Sequence, residues 1–212
     1  MNTAAAPHIR HLLAQCPLVA ILRGIQTHEA LETGAALWDA GFRIIEVPLN
    51  SPAPLDSIAL LRQHWPKALV GAGTVLTTDD VAAVHAAGGQ LVVSPHCNAQ
   101  VVRAAVDAGL VCLPGVATPT EAFAALDAGA HGLKVFPAEM VSPTALKAMR
   151  TVLPADCLLI PVGGIGPHNM AAYWQAGANG FGLGGALYRS GQSTADTAQY
   201  ARTLVQAYEA CI

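Results

Sequence analysis

The chain has 212 residues, 53% of them hydrophobic and 12% charged, with a formal net charge of -3. That is enough apolar material to bury a sizeable core, and too little positive charge to argue for nucleic acid or an anionic membrane as a partner. No apolar run reaches the ~20 residues of a bilayer span.

The opening residues, MNTAAAPHIRHLLAQ, lack the charged-then-apolar order of a signal peptide, and within them PHIRHLLAQC reads as a leading helix. Short apolar strands then recur along the chain: LVAIL (18–22), RIIEVP (43–48), ALVGAG (68–73), QLVVSP (90–95), LVCLPG (110–115), GLKVFP (132–137), CLLIPVGG (157–164) and GFGLGG (180–185). Near-continuous apolar runs suit parallel strands covered on both faces. Alanine- and leucine-rich helical stretches lie between them. Gly41, Gly88, Gly109, Gly129 and Gly177 follow these stretches as helix-stopping glycines do, and Pro66 and Pro154 stop two others. Thr118-Pro119-Thr120-Glu121 has the grammar of a capping box, Ser51-Pro52 and Ser142-Pro143 read as cap-then-proline helix starts, and Asp79 and Asp80 sit where a positive helix end would be.

Eight β/α units point to a (β/α)8 TIM barrel forming a single domain over residues 1–212, with the leading helix capping its bottom. An open doubly wound sheet is the main rival. It would want a dinucleotide fingerprint after the first strand, and ILRGIQT is not one. Cys16, Cys97, Cys112, Cys157 and Cys211 are an odd number without metal-type or redox spacing, so they read as reduced thiols of a cytoplasmic protein.

In a barrel the site lies at the C-terminal ends of the strands. Two charged residues stand alone in apolar strands near those ends: Glu46 in the second and Lys134 in the sixth. These strands face each other across an eight-stranded barrel, so acid and amine would converge at one mouth. The pair is either a buried structural ion pair, which is poor value for stability, or a Schiff-base lysine with a carboxylate proton shuttle. Arg23 ends the first strand and would stand at the same mouth, as a carboxylate clamp or as one half of a surface salt bridge. Thr74, after the third strand, offers a hydroxyl or a turn cap. The glycine pairs Gly163-Gly164 and Gly184-Gly185 follow strands seven and eight, where barrels often hold phosphate on backbone N–H groups. Among the eight histidines, His96 and His168 fall in loops at that end, with His96 a candidate substrate contact; no ligand set emerges, so no metal is expected.

With these residues in place, the chain resembles the 2-keto-3-deoxy-6-phosphogluconate/phosphogalactonate aldolase family over roughly residues 15 to 190, through PLVAILRG, IIEVPLNSP, VGAGTVL, SPH, KVFPAE, PVGGI and GLGGALYR. The resemblance implies a class I, metal- and cofactor-independent aldolase acting on a phosphorylated keto acid, on a (β/α)8 barrel, as a homotrimer. It implies that Lys134 is the Schiff-base lysine and Glu46 the acid/base. Arg23 and Thr74 would meet the pyruvyl carboxylate end, Phe136 would flank the lysine, and Pro95 would form part of the pocket wall. Gly163, Gly164 and Gly184 would cradle phosphate, with Gly185 standing where relatives often carry serine. Gluconate-type members resemble EVTLRT and PTGG where this chain has EVPLNSP and PVGG, so Asn50 and Val162 point to the galactonate branch, the gluconate epimer being the alternative substrate. Two readings from other classes are a phosphosugar epimerase or isomerase and a phosphosugar-binding barrel without turnover.

Overall fold

The computed structural model describes residues Ala5–Cys211. Its strands are β1 Leu18–Ile21, β2 Ile44–Pro48, β3 Leu69–Gly73, β4 Leu91–Val93, β5 Val111–Leu113, β6 Gly115–Val116, β7 Leu133–Val135, β8 Leu159–Pro161 and β9 Phe181–Leu183. The helices are α1 Ala5–Gln15, α2 Ala30–Asp39, α3 Pro54–His64, α4 Thr78–Ala86, α5 Ala99–Asp107, α6 Pro119–Asp127, α7 Pro143–Arg150, α8 Met170–Gln175 and α9 Thr194–Glu209. All strand pairs are parallel. They form a six-stranded sheet in the order β5-β4-β3-β2-β1-β9 and a three-stranded sheet in the order β6-β7-β8. An isolated bridge, Val162 to Gly182, touches the two sheets at one seam, and at the other only Pro114 separates β5 from β6. The expected fifth strand is therefore two pieces, because a proline contributes no N–H to a ladder.

The strands are buried on both faces, which the two hydrophobic clusters make concrete. In β2, Ile44 belongs to an inner cluster shared by both sheets, with Val19, Leu69, Leu91, Val111 and Ile160. Its neighbours Ile45 and Val47 belong to the outer cluster under the helices, with Leu37, Ile58 and Val84. This period of two sends Glu46, between Ile45 and Val47, to the inner side. Lys134 lies between Leu133 and Val135, both in the outer cluster, and is inward for the same reason. From α1, Ile9, Leu12 and Leu13 join the inner cluster. Leu13 reaches Gly180, just before β9, so α1 covers the N-terminal ends of the strands.

The local signals hold with one exception. Gly41, Gly88, Gly109, Gly129 and Gly177 all take positive φ. Thr118 and Glu121 form the capping box of α6, and Ser142 caps α7. Ser51-Pro52, however, does not start a helix. α3 begins at Pro54 behind Ala53 at φ 39, and the Ser51 hydroxyl instead accepts the Gly24 N–H at 2.9 Å. A serine can spend its oxygen on a neighbouring loop as readily as on a helix start. The five cysteines carry no disulfide. Among the described residues no helix is long and apolar enough to cross a membrane.

Candidate active site

A cavity of about 470 Å³ opens at the C-terminal ends of β1, β7, β8 and β9. Most of the expected residues line it: Arg23, Lys134, Phe136 and Val162, with the two glycine pairs Gly163-Gly164 and Gly184-Gly185. Lys134 is 6% exposed, and its Nζ stands 4.7 Å from the centre of the Phe136 ring. Burial, the largest influence, pushes the Lys134 ammonium below its ordinary range; Glu46 pulls it back up and Arg23 adds to the lowering.

Glu46 lies behind that cavity rather than in its wall. It is 2% exposed, and its Oε2 has no hydrogen-bond partner among the described residues. Burial raises its carboxyl above the usual range, against the opposing pull of Lys134 and then Arg23. Desolvation therefore outweighs mutual attraction for both members of the pair, and each is driven toward its neutral form. A neutral amine is a nucleophile, and a protonated carboxyl beside it is an acid. The space for the Glu46 carboxylate comes from Gly73 on the neighbouring strand, where any Cβ would collide with Oε2.

Three other expected residues also stand off the cavity. Asn50 is exposed, and its Oδ1 accepts from Arg23 Nη1 at 2.8 Å. Thr74 follows Gly73 in a left-handed turn at φ 57, beyond the end of β3. Pro95 packs its carbonyl against Gly115. His96, considered as a substrate contact, is exposed and lines no part of the cavity.

The far wall is built of loops. Gly163 and Gly164 take φ +105 and +60, and the Glu139 carboxylate lies so close that a Cβ on Gly163 would strike it. Asn169 clamps this turn: its Oδ1 accepts from Gly166 N–H at 3.0 Å and its Nδ2 donates to the Gly164 carbonyl at 2.9 Å. The backbone N–H groups of Gly164, Ile165, Gly185 and Ala186 donate to no acceptor among the described residues. Gly185 has open space where a side chain would be. Arg189 and His168 line the same end of the cavity. Arg189 was the residue that strand periodicity missed. Its signal was its place at the end of GLGGALYR, a few residues past the second glycine pair. The cavity thus has a buried amine in its wall and two guanidinium-bearing loops, after the neighbouring strands β1 and β9, with free N–H groups beside the second. That suits a ligand with an electrophilic carbon and anionic groups. Among the described residues no three His, Cys, Asp or Glu side chains are placed to hold a metal.

The family model of the KDPG and KHG aldolases matches residues 9–202. The chain belongs to this aldolase family. It is an enzyme, a carbon–carbon lyase. A 2-dehydro-3-deoxy-6-phosphogalactonate aldolase of Escherichia coli K12 is 48% identical over 92% of this chain and 96% of its own. A solved structure described as native KDPGal superposes with a TM-score of 0.91 at 47% identity, covering 93% of this chain and 96% of the other. A KDPG aldolase of Legionella pneumophila, solved with pyruvate captured as a covalent carbinolamine, superposes with a TM-score of 0.78 at 26% identity, covering 95% and 97%. The fold and the sequence thus agree on one family.

Proposed function

We propose that this aldolase cleaves 2-dehydro-3-deoxy-6-phospho-D-galactonate to pyruvate and D-glyceraldehyde 3-phosphate through a Schiff base on Lys134. The observation that carries the reading is buried Lys134 in the wall of a mouth that two guanidinium-bearing loops also line, with buried Glu46 behind it and burial driving both groups toward neutrality. Neutral Lys134 attacks the C2 ketone, forming a carbinolamine that loses water to an iminium. Glu46 moves the protons of these steps directly or through a water. The iminium withdraws electrons while Glu46 takes the C4 hydroxyl proton, so the C3–C4 bond breaks and the aldehyde leaves. The enamine left behind is protonated at C3 and hydrolysed to pyruvate, which frees the lysine. Arg23 holds the carboxylate. Arg189 and the N–H groups around Gly163, Gly164, Gly184 and Gly185 hold the phosphate, and that remote binding positions the reacting carbons. Thr74, in the left-handed turn just beyond β3, meets the pyruvyl carboxylate end beside Arg23, and Pro95, just beyond β4, forms part of the pocket wall, as the family resemblance implies.

Val162 supports the galactonate epimer. It is an apolar wall of the cavity where a threonine would offer a hydroxyl to the C4 oxygen. The identity to the galactonate enzyme of E. coli supports the same choice. Two measurements test the reading. Borohydride added with pyruvate fixes an adduct on Lys134, and none in Lys134→Met; an adduct mapped to Lys67 or Lys147 instead refutes the lysine assignment. The wild type has the higher kcat/KM on the galactonate epimer, and Val162→Thr shifts the ratio toward the gluconate epimer by about ten- to a hundred-fold, the worth of one hydrogen bond to a substrate hydroxyl. A strong wild-type preference for the gluconate epimer would sink the branch assignment and leave the aldolase intact.

The same reading includes one closed (β/α)8 barrel as a single domain. The Val162–Gly182 bridge and the single-residue break at Pro114 support it. It also includes a cytoplasmic homotrimer, for which the family resemblance speaks and which would cover apolar side chains left exposed, such as Phe123 and Met140. Sedimentation equilibrium at three times the 21.8 kDa chain mass is the expected result, and a monomer mass would overturn it.

A further inference from the structure

Arg23 stands on a loop that is tied from two sides. The N–H of the next residue, Gly24, donates to Ser51 Oγ at 2.9 Å, and the Gly24 carbonyl accepts from Ser190 Oγ at 3.1 Å. Ser51 is 8% exposed, and Gly24 takes φ +80 with so little room that a Cβ would come 3.2 Å from Ser190 Cβ. The loops after β1, β2 and β9 are therefore joined at Gly24, the residue after Arg23. Ser190 adjoins Arg189, so this strap also ties together the two neighbouring loops that carry Arg23 and Arg189.

The guanidinium itself is held by a separate contact, from Arg23 Nη1 to Asn50 Oδ1 at 2.8 Å. The acceptor is neutral. Among the described residues the one ion pair is Arg10 with Asp156, so no carboxylate is in direct contact with Arg23, and Glu46 feels its charge only from a distance. A long arginine at a mouth is otherwise free to sample many rotamers, and ordering it on binding would cost affinity. An amide oxygen fixes its direction and leaves the full positive charge for the ligand. The arginine found at this place in EVTLRT-type sequences has no acceptor to offer.

We propose that Asn50 is a positioning residue, acting on the substrate through Arg23 and not by contact, and that position 50 influences specificity by setting where Arg23 stands. This rests on the aldolase reading above, in which Arg23 takes the carboxylate of the pyruvyl end.

The test uses pyruvate as the probe and the borohydride-trapped adduct on Lys134 as the signal, in wild type, Asn50→Ala, Arg23→Met and the double variant. Asn50 is exposed, so its replacement leaves folding intact. Asn50→Ala raises the half-saturating pyruvate concentration by about ten-fold with the limiting trapping rate unchanged, the scale of one hydrogen bond to a charged group. Asn50→Asp raises it as well, because its carboxylate neutralises the guanidinium. The double variant behaves like Arg23→Met alone, since a residue that works through another adds nothing once that other is gone. Additive losses in the double variant, or normal pyruvate saturation in Asn50→Ala, overturn the proposal. An absence of any pyruvate-dependent adduct in the wild type overturns the aldolase reading itself, which separates the two failures.

Discussion

Lys134 shows what one residue costs a fold and returns to a function. Its amine is buried among apolar side chains near Glu46, and burial is the largest influence on both groups. The sign of the pH effect follows. The folded pKa of Lys134 lies below its ordinary value of 10.5, so between the two the unfolded chain binds a proton that the folded chain lacks. Stability arising from this group therefore rises with pH across that window. Glu46 acts in the opposite sense: its folded pKa lies above 4.5, and its contribution falls as pH climbs from there through the folded value. Lys134→Met removes the amine but leaves no stranded charge, because Glu46 takes up a proton more readily without the cation beside it. Hence Lys134→Met, though inactive, melts above wild type near neutral pH, and its advantage shrinks as pH approaches the 10.5 of a free lysine. Thermal melts of both proteins across that range check it. A variant less stable than wild type at every pH would mean that attraction in the pair exceeds the burial penalty. The pair was legible in the sequence because a charge stands out in an apolar strand. Arg189 was not, because an arginine in a loop looks like any solvated arginine until the loop is folded.

At the scale of elements, most of the design lies in the spacing of neighbouring strands. Glu46 on β2 pairs in register with Gly71 on β3, and its carboxylate leans toward Gly73. The glycines of VGAG are therefore not interchangeable. A Cβ on Gly71 would run into the Leu91 backbone of β4 and push β3 and β4 away from each other, while one on Gly73 would strike only the Glu46 side chain. Gly73→Ala keeps the fold, since φ there is not positive, and displaces the carboxylate. Turnover should then fall by the roughly 10²–10⁴ expected when a general acid/base is lost, with the circular-dichroism spectrum unchanged. A kcat near wild type would show that the carboxylate does not need that gap. Helices and their ends were readable because caps and stops are written in single residues, as at Thr118 and Gly129. Two features were not. Pro114 splits a strand that reads as continuous, because apolar periodicity is blind to a missing N–H. Ser51 serves Gly24 because its partner lies in another loop, which no local pattern reveals.

On the scale of the whole molecule, the sealed end of the core and the mouth proposed for the chemistry lie at opposite ends of the strands. The cavity with Lys134 opens at the C-terminal ends, and α1 seals the N-terminal ends with Ile9, Leu12 and Leu13. Such a division lets loops at the mouth vary without loss of the core. Leu12 is 4% exposed and belongs to the inner cluster, so Leu12→Ala opens a void there. Truncating a buried leucine costs about 2–5 kcal/mol, depending on how far the site collapses, and for a chain of this size each kcal/mol lowers Tm by roughly 2–4 °C. The variant should therefore melt well below wild type. The strands between α1 and the mouth remain packed by Val19, Leu69, Leu91 and Val111, so the geometry around Lys134 does not change. Below its melting temperature the variant should keep kcat and KM within about two-fold of wild type, the scale of an effect too small to involve a lost contact at the mouth. Parallel melting curves and initial rates at about 25 °C, well under the melting range of ordinary domains, make the comparison. A marked rise in KM or a fall in kcat without unfolding would mean that the inner cluster transmits strain along the strands, and that the two ends are not independent.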